Sequence, residues 1–241
     1  MVNKYGSVTV IIAAAGSGTR MGGVKKPLLS LCSRPVLLWS IDTFASCECV
    51  KKIVISAKDE DLAEIKALVD AENYSKSIAY TRGGDTRQES VLLAFETAEK
   101  MGADTDIIAI HDAARPLITK GDFERALALC ATHSGSVCAS RVRDTLKRTD
   151  ADCRVTGTVD RNDLWQIQTP QIFDLAKFRK ALEVAREDGI FETDDSGLMT
   201  HAGFDVVLCE TSADNIKITY PEDIFIAEAI MAKRKNEENK K

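Results

Sequence analysis

The segment 13–22 combines glycines, small side chains and a cation in a pattern that suits phosphate binding. It reads AAAGSGTRMG and follows a short apolar stretch. Small residues let the backbone approach a ligand closely, and clustered N–H groups form an anion-binding concavity. Arg20 lies in this segment, and Lys26 follows it directly before Pro27. Two cations beside such a loop suit a reaction in which charge builds up on a transferred phosphorus and a leaving pyrophosphate.

Two familiar phosphate-binding loops do not fit this segment. A dinucleotide-binding fingerprint requires glycine at the position of Met21, and a P-loop requires Gly-Lys followed by Ser or Thr. The mismatch at Met21 disfavours a nicotinamide-dependent oxidoreductase.

The elements around the loop predict an α/β fold. Short strands rich in β-branched residues alternate with amphipathic helices, and the continuous apolar character of the strands indicates burial on both faces. The helix predicted over Thr86–Met101 begins with a capping-box pattern, Thr86 and Glu89. The predicted strands are Val8–Ala13, Ile53–Ala57 and Ile107–His111, and the other predicted helix is Asp59–Asp70. This order predicts a doubly wound, mostly parallel, Rossmann-like sheet that binds ligands at the carboxyl ends of its strands.

Residues 140–165 interrupt this alternation and predict a protruding β-hairpin arm. Two β-like pieces, Val142–Arg148 and Val155–Val159, flank a polar turn at Asp150–Asp152. The arm is too polar to build its own core, so a second subunit is its natural support. The alternation then resumes with helix Leu175–Glu187, strands Val206–Cys209 and Ile216–Thr219, and helix Glu222–Arg234. We therefore expect one domain over 1–241 with a dimerisation arm inserted.

Composition excludes several classes of protein. Apolar and charged fractions of 44% and 29% are typical of a globular domain, and a net charge of -5 argues against broad binding to nucleic acid or anionic membranes. Seven cysteines without C-x-x-C spacing and three histidines argue against a zinc cluster and favour a reducing cytosol. No apolar stretch approaches a membrane span. We expect a cytoplasmic protein.

Three downstream charged residues have positions suited to the same chemistry. Asp112 ends a predicted buried strand, where a carboxylate could bind Mg²⁺ together with substrate phosphates. Asp214 is a second carboxylate that we consider for this ion. Lys217 lies between Ile216 and Ile218, so strand alternation would direct it away from both isoleucines and into a pocket.

A family resemblance rests on these and further motifs. Gly-x-Gly-Thr-Arg-Met followed by Lys-Pro resembles the signature of the sugar-phosphate nucleotidyltransferases. Further along, the chain resembles the 2-C-methyl-D-erythritol 4-phosphate cytidylyltransferase family over nearly its whole length. The segments that carry this resemblance are GGDTRQES (83–90), HDAARP (111–116), VRDTLK (142–147), VDRNDLW (159–165), TPQ (169–171) and DNIK (214–217).

The resemblance implies a nucleotidyltransferase fold and transfer of CMP from CTP to 2-C-methyl-D-erythritol 4-phosphate, with release of pyrophosphate, in non-mevalonate isoprenoid biosynthesis. It implies Mg²⁺ as cofactor and a homodimer in which each arm completes the partner's site. The implied catalytic residues are Arg20, Lys26 and Lys217. The implied CTP-binding residues are Ala14, Ala15, Gly16, Gly18, Gly84, Asp85 and Ser90. The implied acceptor-binding residues are Asp112, Arg115, Thr145, Arg161 and Thr169.

The chain departs from the family pattern after the glycine-rich loop. It reads Lys25-Lys26-Pro27-Leu28-Leu29 where the family commonly has Lys-Gln-Tyr/Phe-Leu, so two lysines compete for one role. We assign it to Lys26, which precedes the proline and aligns with Leu29. Two alternative functions stay open: a ribitol-5-phosphate cytidylyltransferase and a non-catalytic nucleotide-binding protein of the same fold.

Overall fold

A seven-stranded mixed sheet is the centre of the computed structural model, which describes residues 6–16, 24–102 and 105–239. The strands are β1 Val8–Ala13, β2 Ser30–Leu31, β3 Arg34–Pro35, β4 Val50–Ala57, β5 Ser77–Arg82, β6 Ile107–Asp112, β7 Gly135–Arg141, β8 Leu146–Thr149, β9 Val155–Val159, β10 Trp165–Asp174 and β11 Val206–Glu210. The helices are α1 Val36–Ala45, α2 Asp59–Asp70, α3 Arg87–Lys100, α4 Lys120–Cys130, α5 Leu175–Asp188, α6 Asp195–His201 and α7 Glu222–Glu238.

The strand order of the central sheet is β11-β7-β10-β6-β1-β4-β5. Every neighbouring pair is parallel except those made by β10, which runs antiparallel to both β6 and β7. The predicted α/β fold with a mostly parallel sheet is confirmed. Because β10 is reversed, its first half lies at the same edge as the carboxyl ends of β6 and β7.

Burial on both faces explains why the strands are continuously apolar. In β1, Val8, Val10 and Ile12 belong to one core and Ile11 to the opposite core, and all four are fully buried. Burial of each such side chain contributes about 1.5–3 kcal/mol. The polar ends of the strands are thereby held at the edge of a rigid sheet.

Several predicted elements are confirmed. The bounds of β1 and α2 agree with the prediction. Helix α3 begins after Thr86, whose hydroxyl accepts a hydrogen bond from Glu89 N in a complete capping box. This cap and the strand ends fix where the loops leave the carboxyl edge of the sheet.

The predicted strand at Ile216–Thr219 is wrong. In the described part of the chain this segment joins no sheet; Ile218 N donates to Ala114 O over 2.8 Å in an isolated backbone hydrogen bond. The local alternation still holds, since Ile218 is buried and Lys217 is exposed on the other side. Packing of the isoleucines, rather than a strand ladder, orients the lysine.

The hairpin of the arm is formed by β8 and β9, which pair antiparallel in a sheet of their own. The prediction for Val155–Val159 is confirmed, whereas the first strand begins at Leu146 rather than at Val142. Apolar side chains on the arm are left open to solvent: Val155 is 64% exposed and Leu146 is 37% exposed. None of the helices in the described ranges is long and apolar enough to cross a bilayer.

Candidate active site

The carboxyl ends of β5, β4, β1 and β6 border a cleft of about 680 Å³, which we call the first cleft. The loop after β1 and the loop between β5 and α3 form two of its walls. Its described lining residues are Ala13, Ala14, Ala15, Gly16, Lys26, Pro27, Lys58, Asp59, Arg82, Gly83, Gly84, Asp85, Thr86, Arg87, Ser90, Asp112, Ala113, Ala114 and Lys217. The structure therefore brings together nine of the residues predicted for the reaction or for substrate binding, from five separate segments of the chain.

The glycine-rich loop enters this cleft from the end of β1. Ala14 N donates to Ser56 O over 2.7 Å, which ties the start of the loop to β4. Ala14, Ala15 and Gly16 then line the cleft. Gly18 and Arg20 lie outside the described residues, so their predicted roles stay predictions.

The loop between β5 and α3 approaches the glycine-rich loop closely. Gly83 N donates to Ala57 O over 2.7 Å, and Gly84 N donates to the Ser90 hydroxyl over 3.0 Å. A Cβ atom at Gly83 would lie 2.2 Å from the Cβ of Ala15, which is a severe clash. Glycine is required here because the two loops touch, and Ser90 supports the turn while it lines the cleft.

The two adjacent lysines have different surroundings. Lys26 lines the cleft, and its Nζ donates to Thr219 O over 3.3 Å. Lys25 Nζ instead lies 2.7 Å from Asp61 and 3.0 Å from Glu64, two acids of α2 that raise the pKa of Lys25 above its usual range. Lys26 therefore lines the first cleft, whereas Lys25 is directed towards α2.

Asp112 is held between two cations at the end of β6. Its Oδ2 lies 2.6 Å from Lys217 Nζ and its Oδ1 lies 3.2 Å from Arg87 Nε. Burial alone would raise the pKa of Asp112, but Arg87 and Lys217 together hold it well below its usual range. Asp112 is therefore ionised at neutral pH.

A second cleft of about 390 Å³ adjoins the first and shares Arg87, Asp112 and Lys217 with it. Its other described lining residues are Arg115, Ile167, Gln168, Thr169, Gln171, Thr193, Asp194, Ser196, Gly197 and Thr200. Two of the residues predicted to bind the acceptor, Arg115 and Thr169, thus lie apart from the glycine-rich loop but next to Asp112. The three shared charged residues form what we call the shared wall.

Arg115 and Thr169 are largely engaged within the protein. Arg115 donates to Asn215 O over 2.8 Å and to Ile167 O over 3.3 Å. Thr169 Oγ1 accepts a hydrogen bond from Asp112 N over 3.0 Å. Arg115 therefore brings fixed positive charge to the second cleft, and Thr169 supports the backbone of Asp112.

His111 is fully buried and its ring nitrogens have partners. Because Thr169 Oγ1 accepts from Asp112 N, its hydroxyl hydrogen is free to donate to His111 Nδ1 over 3.0 Å, and Nε2–H then donates to Arg115 O over 3.1 Å. Burial lowers the pKa of His111 to about 4. The ring is a neutral structural link between β6, β10 and the Arg115 loop.

Three predicted residues lie away from both clefts. Thr145 and Arg161 are exposed on the arm, and Arg161 donates to the carbonyl of Arg143. Asp214, which the structure describes, lines neither cleft. Its N–H donates to the Ser212 hydroxyl over 3.0 Å. A single chain therefore does not bring these three residues to the shared wall.

Sequence reasoning missed Arg87 and Asp195 as members of the site. The capping box at Thr86 could have indicated Arg87, because it makes Arg87 the first residue of a helix that begins at the carboxyl edge of the sheet. Asp195 begins α6, whose position beside the second cleft follows only from tertiary packing.

The fold and the site define a nucleotidyltransferase: a glycine-rich loop, cations and an ionised carboxylate converge at the carboxyl edge of a mostly parallel sheet. Comparison with known proteins narrows this class. The chain belongs to the 2-C-methyl-D-erythritol 4-phosphate cytidylyltransferase family, whose model matches residues 8–233.

Relatives of this family match almost the entire chain. It is 38% identical over 229 residues to the 2-C-methyl-D-erythritol 4-phosphate cytidylyltransferase of Caldanaerobacter subterraneus, covering 94% of this chain and 100% of that protein. The enzyme of the same name from Rhodopirellula baltica is 37% identical over 245 residues, covering 98% of this chain and 99% of that protein.

A solved structure supports the same relationship. The crystal structure of 4-diphosphocytidyl-2C-methyl-D-erythritol synthase from Anaerococcus prevotii superposes with a TM-score of 0.81 at 28% identity, covering 94% of this chain and 96% of that one.

Proposed function

We propose that this chain transfers CMP from CTP to 2-C-methyl-D-erythritol 4-phosphate and releases pyrophosphate. The observation that carries this proposal is the pair of adjoining clefts with one shared charged wall. The first cleft has the glycine-lined loops suited to a nucleoside triphosphate. The second has the size and polar lining for a small polyol phosphate, and the two phosphates would meet beside Lys217 on the shared wall.

The proposed step is an in-line substitution at the α-phosphorus of CTP. An oxygen of the acceptor phosphate forms the new P–O bond, and the bond to the bridging oxygen of the β-phosphate breaks, with its electron pair leaving on pyrophosphate. Both reactants are anions, so the protein must offset their repulsion. A unit charge about 4 Å from another is worth about 4 kcal/mol at an effective dielectric constant of about 20, so several fixed cations are needed.

Lys26 and Lys217 supply this charge from the first cleft, and Arg115 supplies it from the second. Arg20 completes the set in the proposal. Lys217 Nζ lies 2.6 Å from Asp112 Oδ2, and this ion pair keeps the lysine at the junction of the two clefts. The cations pre-position the reactants and stabilise the charge that develops on pyrophosphate.

The step needs no general base. An acceptor phosphate is already ionised at neutral pH, so no proton has to be removed from the attacking oxygen. His111, the histidine beside the site, is buried with both ring nitrogens hydrogen-bonded. Its role in the proposal is to support Thr169 and the Arg115 loop.

Mg²⁺ is part of the proposal, and the shared wall fits it. Asp112 offers a hard, ionised oxygen ligand, and each carboxylate oxygen keeps a lone pair beyond its hydrogen bond to Arg87 or Lys217. Within the described ranges no cluster of three acidic, histidine or cysteine residues is suited to a metal. This fits Mg²⁺ bound through one carboxylate and substrate phosphates, where the ion would neutralise phosphate charge.

A homodimer with exchanged arms completes the proposal. Thr145 and Arg161 would add hydrogen bonds and positive charge to the acceptor cleft of the partner, which accounts for their exposure in a single chain. The exposed apolar side chains of β8 and β9 would be covered in the same contact. The cysteines form no disulfide, which fits a reducing compartment, and we include a cytoplasmic location in the proposal.

Phosphorus NMR of the reaction mixture tests this function. With CTP, Mg²⁺ and 2-C-methyl-D-erythritol 4-phosphate, the protein should produce free pyrophosphate together with the two coupled doublets of a diphosphate diester. Free pyrophosphate accompanied by CMP rather than the diester would indicate hydrolysis. Binding of CTP without product from any polyol phosphate would instead favour the non-catalytic alternative.

A further inference from the structure

Arg87 joins two acidic side chains that belong to different elements of the site. It is the first residue of α3, and its Nε lies 3.2 Å from Asp112 Oδ1 at the end of β6. Its Nη2 lies 2.8 Å from Asp195 Oδ2 at the start of α6. The carboxylates are almost removed from solvent, with side-chain exposures of 10% for Asp112 and 1% for Asp195.

The burial of Asp195 is not explained by helix capping. Asp194 is the N-cap of α6, and its carboxylate accepts the hydrogen bond from Gly197 N over 3.2 Å. A buried carboxylate costs several kcal/mol unless an ion pair and hydrogen bonds offset its desolvation. Asp195 has this compensation from Arg87, so the two residues depend on each other.

The planar guanidinium makes this contact directional. Two nitrogens of one rigid fork donate to two carboxylates, so anchoring by Asp195 fixes the orientation in which Nε meets Asp112. A lysine keeps the charge but has a single nitrogen and cannot reproduce that fork. When Lys217 donates to phosphate oxygens in the proposed reaction, Arg87 would be the cation that still holds Asp112.

We propose that Arg87, anchored by Asp195, is a positioning residue that holds the Asp112 carboxylate in place on the shared wall. The inference rests on the proposed function, and it assigns Arg87 an effect on catalysis through Asp112 rather than through direct contact with substrate. α6, which lines the second cleft, is thereby linked to the end of β6, which borders both clefts.

Arg87→Lys tests this geometry while keeping the charge. We expect kcat to fall by about 10- to 100-fold, as for other residues that orient a functional carboxylate, with the KM for CTP changed by less than about threefold. Arg179→Lys is the matched control, because Arg179 also pairs with a carboxylate, Glu99, at 2.7 Å but lies outside both clefts. Its kcat should stay within about twofold of the original chain.

Combination with Asp112→Asn separates positioning from substrate contact. If Arg87 acts through Asp112, adding Arg87→Lys to Asp112→Asn should lower kcat by less than about twofold further. An undiminished loss in that background would overturn the inference, as would full activity of Arg87→Lys alone. If Arg87→Lys does not fold, Asp195→Asn takes its place, since it retains the shape of the side chain and removes the anchoring charge.

A crystal structure of Arg87→Lys provides a readout that does not need turnover. The Asp112 carboxylate should move from its present position, and an unmoved carboxylate still 2.6 Å from Lys217 Nζ would contradict the inference. Absence of product from the original chain would remove the proposed function, whereas the position of Asp112 would still decide whether Arg87 holds it.

Discussion

Replacing Lys26 by alanine should lower kcat by about 100- to 1,000-fold while leaving the fold intact, as expected when one preorganised donor to developing charge is removed. Lys26 lines the first cleft beside the glycine-rich loop, and its Nζ donates to Thr219 O over 3.3 Å. Loss of its ammonium would leave the charge on pyrophosphate less stabilised. Steady-state pyrophosphate release measures the effect.

The neighbouring lysine supplies a matched control. Lys25→Ala removes the same side chain one position earlier, but Lys25 is paired with Asp61 and Glu64 on α2. The turnover of Lys25→Ala should stay within about twofold of that of the original chain, because exposed ion pairs contribute little to stability. Near-normal turnover of Lys26→Ala together with a large loss for Lys25→Ala would exchange the two assignments.

If the arm completes the partner's site, mixing the subunits of two variants that are each inactive should restore activity. Arg161→Ala removes a cation of the arm, and Lys26→Ala removes a cation of the first cleft. In a dimer with exchanged arms, a mixed pair has one site that combines an intact cleft with an intact arm. After subunits are mixed in equal amounts and allowed to exchange, roughly a quarter of all sites should be active.

The mixing experiment has a control on the same arm. Arg154 lies beside the tip of the hairpin, where it pairs with Asp152 at 3.0 Å, and its side chain is 75% exposed. Arg154→Ala should keep near-normal turnover, so a loss in Arg161→Ala would not be a general effect of lost arm charge. No recovery in a mixture that sedimentation shows to contain heterodimers would place Arg161 outside the partner's site.

Local patterns predicted well where the loops of the first cleft leave the sheet, because those signals lie within short segments. The apolar run Val8–Ala13 and the Thr86–Glu89 capping box set where two loops leave the sheet, and the structure confirms both. Asp112 was predicted to end a buried strand, and β6 does end there. Each of these predictions needed only a few consecutive residues.

The sequence was less informative where the position of a side chain depends on packing between distant segments. The antiparallel course of β10 brings Thr169 to Asp112 N across 57 residues of sequence, and no local pattern specifies that pairing. The ion pair between Arg87 and Asp195 spans 108 residues in the same way. Ile216–Thr219 has strand-like alternation but no neighbouring strand to pair with among the described residues, so the predicted strand was wrong.

The choice of acceptor distinguishes the proposed function from the alternative that uses ribitol 5-phosphate. Pyrophosphate release should be measured with CTP and Mg²⁺ at varied concentrations of 2-C-methyl-D-erythritol 4-phosphate and, separately, of ribitol 5-phosphate. We predict a kcat/KM for the methylerythritol compound at least about tenfold higher, because a pocket that pairs with one polyol leaves polar groups unpaired with another. A kcat/KM that favours ribitol 5-phosphate would contradict the proposed function and support the alternative acceptor.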